Sequence, residues 1–210
     1  MLAVEAITKL ISEFEFQTVL DIGSGEGEHS RIFKHYGKIV SAVDLGGSLY
    51  YKNRVADANY IGEYVELDFP GPFDCIWCSH VLEHQRNIGT FLEKIYHDLK
   101  DDGVLAITVP PSKPNIVGGH VTVWNAGLLL YNLILAGFDC SEASVLKYDY
   151  NISVILRKKA ALISSLDLSS DIGDIEKLAH LFPLHVHQDF DGDLVEVNWR
   201  VPVASSHTAK

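Results

Sequence analysis

The sequence predicts a three-layer α/β fold: a mostly parallel, seven-stranded sheet with an antiparallel last strand, helices on both faces and a short C-terminal extension. Three observations predict it. Short apolar runs alternate with segments of helical periodicity, the pattern of strand–helix–strand units and parallel pairing. The first run stops in a glycine-rich turn and later ones stop at aspartates or other polar groups, which gathers chemistry at one rim of the sheet. The 210 residues, 47% apolar and 21% charged, suffice for one sizeable core but are short for two domains.

Each element has its own signal. Val4, Ile7, Leu10, Ile11 and Phe14 recur at the spacing of one helical face, so residues 3 to 14 read as an amphipathic helix. Thr18 to Ile22 is a buried strand stopped by Gly23-Ser24-Gly25-Glu26-Gly27. A helix from Glu28 to Tyr36 leads to a second strand, Lys38 to Val43, ending at Asp44. Tyr64 to Leu67 reads as a weaker third strand ending at Asp68, and residues 73 to 78 as a fourth. Phe91, Leu92, Ile95 and Leu99 mark a helix over 88 to 99, and Asp101-Asp102-Gly103 turns the chain into the strand Val104 to Val109. Pro110-Pro111-Ser112-Lys113-Pro114 and Gly118-Gly119 punctuate a long loop of the kind that caps a site. A helix from Asn125 to Leu135 and strands over 142 to 147 and 151 to 157 follow, the two strands closing as an antiparallel hairpin. Beyond residue 160 the pattern predicts a helix near 171 to 181, then a second hairpin turning at Asp189-Phe190-Asp191-Gly192-Asp193. The organisation is therefore an N-terminal helix (1–16), a ligand-binding α/β domain (17–158) and an extension (159–210) that covers an acceptor pocket or forms a homodimer interface.

A formal net charge of −11 without any basic run argues against nucleic acid as a partner, since that affinity rests on clustered Lys and Arg. Glu5, Lys9 and Glu13 interrupt the first apolar residues, so neither a signal-peptide core nor a membrane span is expected, and a cytoplasmic location is. Three cysteines fit a reducing compartment. Cys75 and Cys78 have the spacing of a zinc knuckle, but on a strand residues three apart point to opposite faces.

The glycine loop departs from the dinucleotide fingerprint, since Glu28 stands where G-x-G-x-x-G requires its last glycine. Asp21 precedes the loop, Asp44 ends the second strand and Asp68 the third. These carboxylates would repel a pyrophosphate in the crevice where open α/β sheets bind ligands. They suit an amino group, a ribose diol and an adenine amine, the groups of S-adenosylmethionine. Asp44, with Leu45 beside it, would take the ribose hydroxyls, and Asp68, with Phe69, the adenine. Gly23, Ser24 and Gly25 would bring backbone close to the ligand.

Val19-Leu20-Asp21-Ile22-Gly23-Ser24-Gly25-Glu26-Gly27 resembles the first motif of class I S-adenosylmethionine-dependent methyltransferases. Phe73 to His84 resembles the fourth-strand motif of the type 11 and type 12 subfamilies, and Leu99 to Leu105 their fifth-strand motif. Ala136-Gly137-Phe138 is similar to their late helix-to-strand turn, so the resemblance spans about residues 17 to 157. It implies the Rossmann-like sheet and S-adenosylmethionine as cofactor, with Ser79 and His80 near its methionine part. It also implies a methyltransferase but names a cofactor rather than a substrate; the aromatic-rich loop and the acidic composition favour a neutral acceptor, a small molecule or glycan precursor, methylated at oxygen. If the acceptor is a hydroxyl, a base serves the reaction, and histidine suits neutral pH. His84, one turn after the fourth strand, and His120, in the Gly118-Gly119-His120 loop, are the candidates. Leu82-Glu83-His84 resembles the subfamilies' ordinary helix start, and no metal is expected. Two other readings are a nicotinamide oxidoreductase, opposed by Glu28 and the acidic strand ends, and a binding or scaffold protein that keeps the pocket without turnover.

Overall fold

The structure, a computed structural model, describes residues 3–47 and 55–200. Helix α1 (Val4–Glu13) buries Ala6, Ile7 and Leu10 on its apolar face. Strand β1 (Thr18–Ile22) is followed by α2 (Glu28–His35), β2 (Ile39–Asp44) and β3 (Ala58–Ile61). Strand β4 (Phe73–Ser79), α3 (Ile88–Asp98) and β5 (Leu99–Val109) come next. Helix α4 (Ala126–Leu135) precedes β6 (Ser144–Tyr148) and β7 (Asn151–Arg157), and the extension supplies α5 (Asp174–Leu178) and β8 (Glu196–Val197). No helix among the described residues is long and apolar enough to cross a membrane.

One sheet forms in the order β3-β2-β1-β4-β5-β7-β6-β8. Pairing is parallel from β3 to β5, while β7 runs antiparallel between β5 and β6. The hairpin between β6 and β7 turns at Asp149, whose φ of 46° is of the left-handed kind that Asp tolerates in tight turns. Consecutive residues of β4 face opposite sides: Cys75 and Trp77 join one apolar cluster with α1 and α2, and Ile76 and Cys78 the other with α3 and α4. The two faces of a sheet buried under helices thus make two cores, and the knuckle-like cysteines lie in different ones.

Four expectations are corrected. Tyr64–Glu66 is a 3₁₀ turn, and the third strand lies earlier, at β3. Tyr64 is buried because its hydroxyl donates to Asp98 at 2.7 Å, which holds the turn against α3. No strand forms over 184 to 188, and residues 189–193 make a loop clamped to the start of α4 rather than a hairpin. There Gly127 N–H donates to the Gly192 carbonyl at 2.8 Å, and the Asn125 side chain caps Leu128 N–H at 2.7 Å while donating to the Asp191 carbonyl at 2.9 Å. Finally, β8 pairs with β6, so the sheet has eight strands among the described residues instead of seven. Leu178, Leu181 and Phe182 of the extension join the core around α4. The expected helix over 171 to 181 is reduced to α5 and a 3₁₀ turn at Ala179–Leu181.

Candidate functional site

The strand order reverses between β1 and β4, and the loops at the carboxyl ends of the strands part at such a point. A cavity of about 300 Å³ opens there. Its floor is the glycine loop. Gly23 and Ser24 N–H both donate to the Val43 carbonyl, at 2.8 and 3.1 Å, which stitches the loop to the end of β2. Gly23 has φ +74°, and an added Cβ would stand 2.2 Å from Val81 Cγ2, so no side chain fits. Gly25 has φ +49° and open space where its Cβ would be, which leaves room for a ligand against the backbone.

Asp44 ends β2 inside this cavity. Its Oδ2 accepts from Gly25 N–H at 2.9 Å and its Oδ1 from Gly46 N–H at 3.1 Å. An ionised carboxylate offers about four acceptor sites, so each oxygen keeps capacity for a ligand hydroxyl. Glu63, just after β3, adds a second carboxylate, Val43, Leu45, Tyr64 and Phe91 supply apolar walls, and among the described residues neither Lys nor Arg lines the cavity. Asp21 lies below, fully buried, with Ser30 Oγ donating to it at 2.5 Å. Burial raises its pKa to about 6, against the opposing effect of Ser30 and with a further push from Asp44.

The far wall comes from the end of β4. His80 has a left-handed φ of 56°, an uncommon conformation for a non-glycine residue, held by its N–H donating to the Thr108 carbonyl at 2.9 Å. Its ring bridges Glu83 Oε1 at 3.2 Å and Asn151 Oδ1 at 2.9 Å. Burial pulls its pKa down, but these two hydrogen bonds outweigh that and leave it raised. In the 3₁₀ turn Leu82–His84, Glu83 is buried and its Oε2 has no hydrogen bond among the described residues. The Glu83 carbonyl accepts from Val121 and Thr122 N–H, at 2.8 and 3.2 Å, which pulls the long loop over this turn. His84 Nδ1 lies 2.7 Å from the Gly119 carbonyl and the His84 and His120 rings are 5.0 Å apart. Gly119 is required here: its φ is +82° and a Cβ would come within 3.2 Å of His84 Nδ1.

Beyond this wall lies a second cavity of about 260 Å³, roofed by residues 110–123 and closed by Tyr150. Two ring pairs separate the cavities, His84 with His120 and His80 with Tyr150, the latter stacked at 6.2 Å. His80 and His84 line the first cavity, and His120 and Tyr150 the second.

Of the residues singled out from sequence, Gly23, Gly25, Asp44, Leu45, His80 and His84 line the first cavity. Asp21 and Ser24 lie buried below the loop, and Ser79 stands at the end of β4 outside the lining. Asp68 is displaced because the third strand is: it follows the 3₁₀ turn, exposed and outside the cavity. Phe69 instead packs among Tyr60, Tyr64 and Phe73, with ring centroids 5.0 to 6.0 Å away. Sequence reasoning missed Glu63, Tyr64 and Phe91 as lining residues. Gly62, directly after the short run Asn59-Tyr60-Ile61, was the available sign of a strand end there.

Fold and site together define an α/β protein with a nucleoside-sized acidic pocket at the switch point of its sheet. The chain belongs to the methyltransferase domain family, whose model matches residues 3–131. An uncharacterized methyltransferase of Staphylococcus carnosus is 31% identical over 108 residues, covering 49% of this chain and 51% of the relative. A ubiquinone biosynthesis O-methyltransferase of Xylella fastidiosa is 29% identical over 102 residues, 43% of this chain and 40% of the relative. The chain thus matches about half the length of these relatives or less. Among solved structures, a Burkholderia thailandensis 1,6-didemethyltoxoflavin-N1-methyltransferase with bound 1,6-didemethyltoxoflavin and S-adenosylhomocysteine aligns with a TM-score of 0.62 at 21% identity, covering 75% of this chain and 77% of that one. An S-adenosylmethionine-dependent methyltransferase from Archaeoglobus fulgidus aligns at 0.59 and 18% identity, covering 74% and 93%. These structural likenesses establish the shared α/β fold.

Proposed function

We propose that this chain is an S-adenosylmethionine-dependent methyltransferase acting on a small molecule, with oxygen as the acceptor atom. One observation carries the reading: Asp44, set between two backbone N–H groups in a glycine-floored cavity that no Lys or Arg among the described residues lines, keeps acceptor capacity on both oxygens among those residues. That donor set fits a ribose diol and a cationic ligand, and it would repel a pyrophosphate. S-adenosylmethionine, when bound, supplies an electrophilic methyl group on a positively charged sulfur. Gly23 and Gly25 seat it against the backbone, and Tyr64 and Phe91 provide the apolar surface that an adenine ring needs.

Methyl transfer asks the protein mainly to align the reacting atoms and exclude water. The wall of His80, Val81 and His84 faces the cavity, and His84 and His120 act at the acceptor oxygen. The second cavity, next to both histidines, receives the acceptor. The names of the relatives support oxygen, since one is an O-methyltransferase. The net charge of −11 supports a small molecule over a nucleic acid.

Calorimetric titration with S-adenosylmethionine, S-adenosylhomocysteine and NAD tests the reading. Micromolar binding of the first two and none of NAD is the expected outcome. Binding of NAD alone would return the nicotinamide reading, and silence from all three would leave a scaffold.

A further inference from the structure

We infer that the second cavity, built from the loop, takes an acceptor bearing a carboxylate, and that Lys113 holds this group. The inference rests on the methyltransferase reading and names the substrate class for it. The two cavities differ in sign. Asp44 and Glu63 line the first, with no Lys or Arg among the described residues; Lys113 and His120 line the second, with no Asp or Glu among the described residues. In a chain of 28 acidic and 17 basic residues, a lining without carboxylates runs against the composition. The net charge, which favours a neutral acceptor, describes the whole surface, whereas the field inside a cleft is set by the groups that line it.

Lys113 stands apart from the other lysines. Every other lysine among the described residues donates to or pairs with an oxygen, either a carboxylate or a backbone carbonyl. Lys113 has no such oxygen among the described residues, and its Nζ lies 3.9 Å from the centroid of the Tyr150 ring. A ring face attracts the charge but offers no oxygen acceptor to the three N–H donors of the ammonium. The segment that presents this lysine is stiff. Pro110, Pro111 and Pro114 fix φ around it, and Lys113, preceding a proline, is biased towards extended backbone. Ser112 N–H donates to the carbonyl of the buried Trp124 at 2.8 Å, which ties the segment to the start of α4. Tyr150 in turn stacks on His80 at 6.2 Å, so the ammonium stands on the second-cavity side of the partition.

A single ammonium matches a single negative charge. Ser112, Asn115 and Thr122 add neutral polar groups to the same lining, while Ile116 and Val121 give apolar surface. A phosphate dianion is usually met by an Arg fork or by the N-terminus of a helix, and no Arg among the described residues lines this cavity. The substrate class is therefore a hydroxy acid with an apolar body, its carboxylate the handle at Lys113 and its hydroxyl directed to the partition where His84 and His120 meet.

The test is calorimetry of the untagged full chain with para-hydroxybenzoate and meta-hydroxybenzoate, each beside its carboxamide, and with phenyl phosphate. S-adenosylhomocysteine is titrated into the same samples. At least one acid should bind about tenfold or more tightly than its amide, the value of one hydrogen bond to a charged group, and added salt should shrink that preference. Lys113→Gln should remove the preference and Lys113→Arg keep most of it, with circular dichroism and S-adenosylhomocysteine affinity unchanged in both. Silence from both acids, or a preference that Lys113→Gln leaves intact, would overturn the proposal, and so would tighter binding of phenyl phosphate than of either acid. If the acids bind as expected and S-adenosylhomocysteine does not, the carboxylate site stands and the cofactor reading falls. The reverse result removes the carboxylate site alone.

Discussion

The two cavities at the strand-end rim are built by different means. The first cavity, to which the proposed function assigns the cofactor, is made of strand ends and tight backbone turns: Gly23 and Gly25 leave β1, Asp44 ends β2 and Glu63 follows β3. Its shape is set by the same ladders that make the sheet. The loop cavity is made of side chains brought in from residues 110–123 and from the β6–β7 hairpin, and it is held by a few hydrogen bonds, chiefly those to the Glu83 carbonyl. The first therefore rests on the sheet and its turns, and the second on the packing of one loop. A shared fold with different acceptors is what that division allows.

If the division is real, variants should separate along it. The largest effect is expected on the loop side: His84→Ala should lower turnover about 100-fold or more, within the range for loss of a group acting on a proton in the transition state. S-adenosylhomocysteine affinity should stay within a few-fold. Steady-state kinetics beside calorimetry checks this, and an equal loss in both would break the comparison. On the other side, Asp44→Ala should weaken cofactor binding by about tenfold or more, the value of one hydrogen bond to a charged group. Intact affinity would remove Asp44 from the site.

The smallest effect sharpens the comparison below the first cavity, where burial disfavours the charged forms of Asp21 and His29. The Asp21 pKa is raised to about 6, so its contribution to stability is lost as pH rises from the ordinary carboxylate range through 6. The His29 imidazole, packed against Trp77 at 5.0 Å, is lowered by burial to about 4, so its contribution is lost as pH falls from 6.5 through 4. The two slopes oppose each other between about pH 4 and 6. Asp74 is held down to about 2, its burial outweighed by bonds from Lys100 and Thr18, and acts below that window; the raised His80 acts above it. Urea midpoints of the parent chain should be nearly flat there. His29→Gln should decline with rising pH and Asp21→Asn with falling pH, and parallel profiles would sink the assignment.

Legibility in the sequence follows the same division. Strands β1, β2, β4 and β5 are buried on both faces, so continuous apolar runs announced them, and the glycine loop with Asp44 announced the cofactor cavity. The third strand escaped because β3 is a short edge strand with alternating half-exposed residues, while in the turn Tyr64–Glu66 only Tyr64 is buried, held by its hydrogen bond to Asp98. The displaced strand took the adenine assignment of Asp68 and Phe69 with it. His84 and His120 could each be proposed from local context, but not their meeting. That depends on backbone bonds from Val121 and Thr122 to Glu83, which no local pattern encodes. The loop at Asp189 to Asp193 imitated a hairpin for a similar reason. Its glycine serves a close approach to α4, where a Cβ on Gly127 would sit 2.4 Å from Gly192 Cα.

The two-residue strand β8 closes the sheet edge at β6 among the described residues. Without Glu196–Val197 the sheet would stop at β6, with Val145 to Lys147 presenting unpaired N–H and C=O groups to solvent. Such an open rung is a template on which a second chain can add its own strand, the first step towards fibrillar or amorphous aggregates. The Lys147 N–H bond to the Val195 carbonyl at 2.8 Å and the Lys147–Asp193 ion pair at 2.6 Å extend the seal along that border. The extension thus does colloidal work on the flank of the sheet, keeping one molecule from growing into the next.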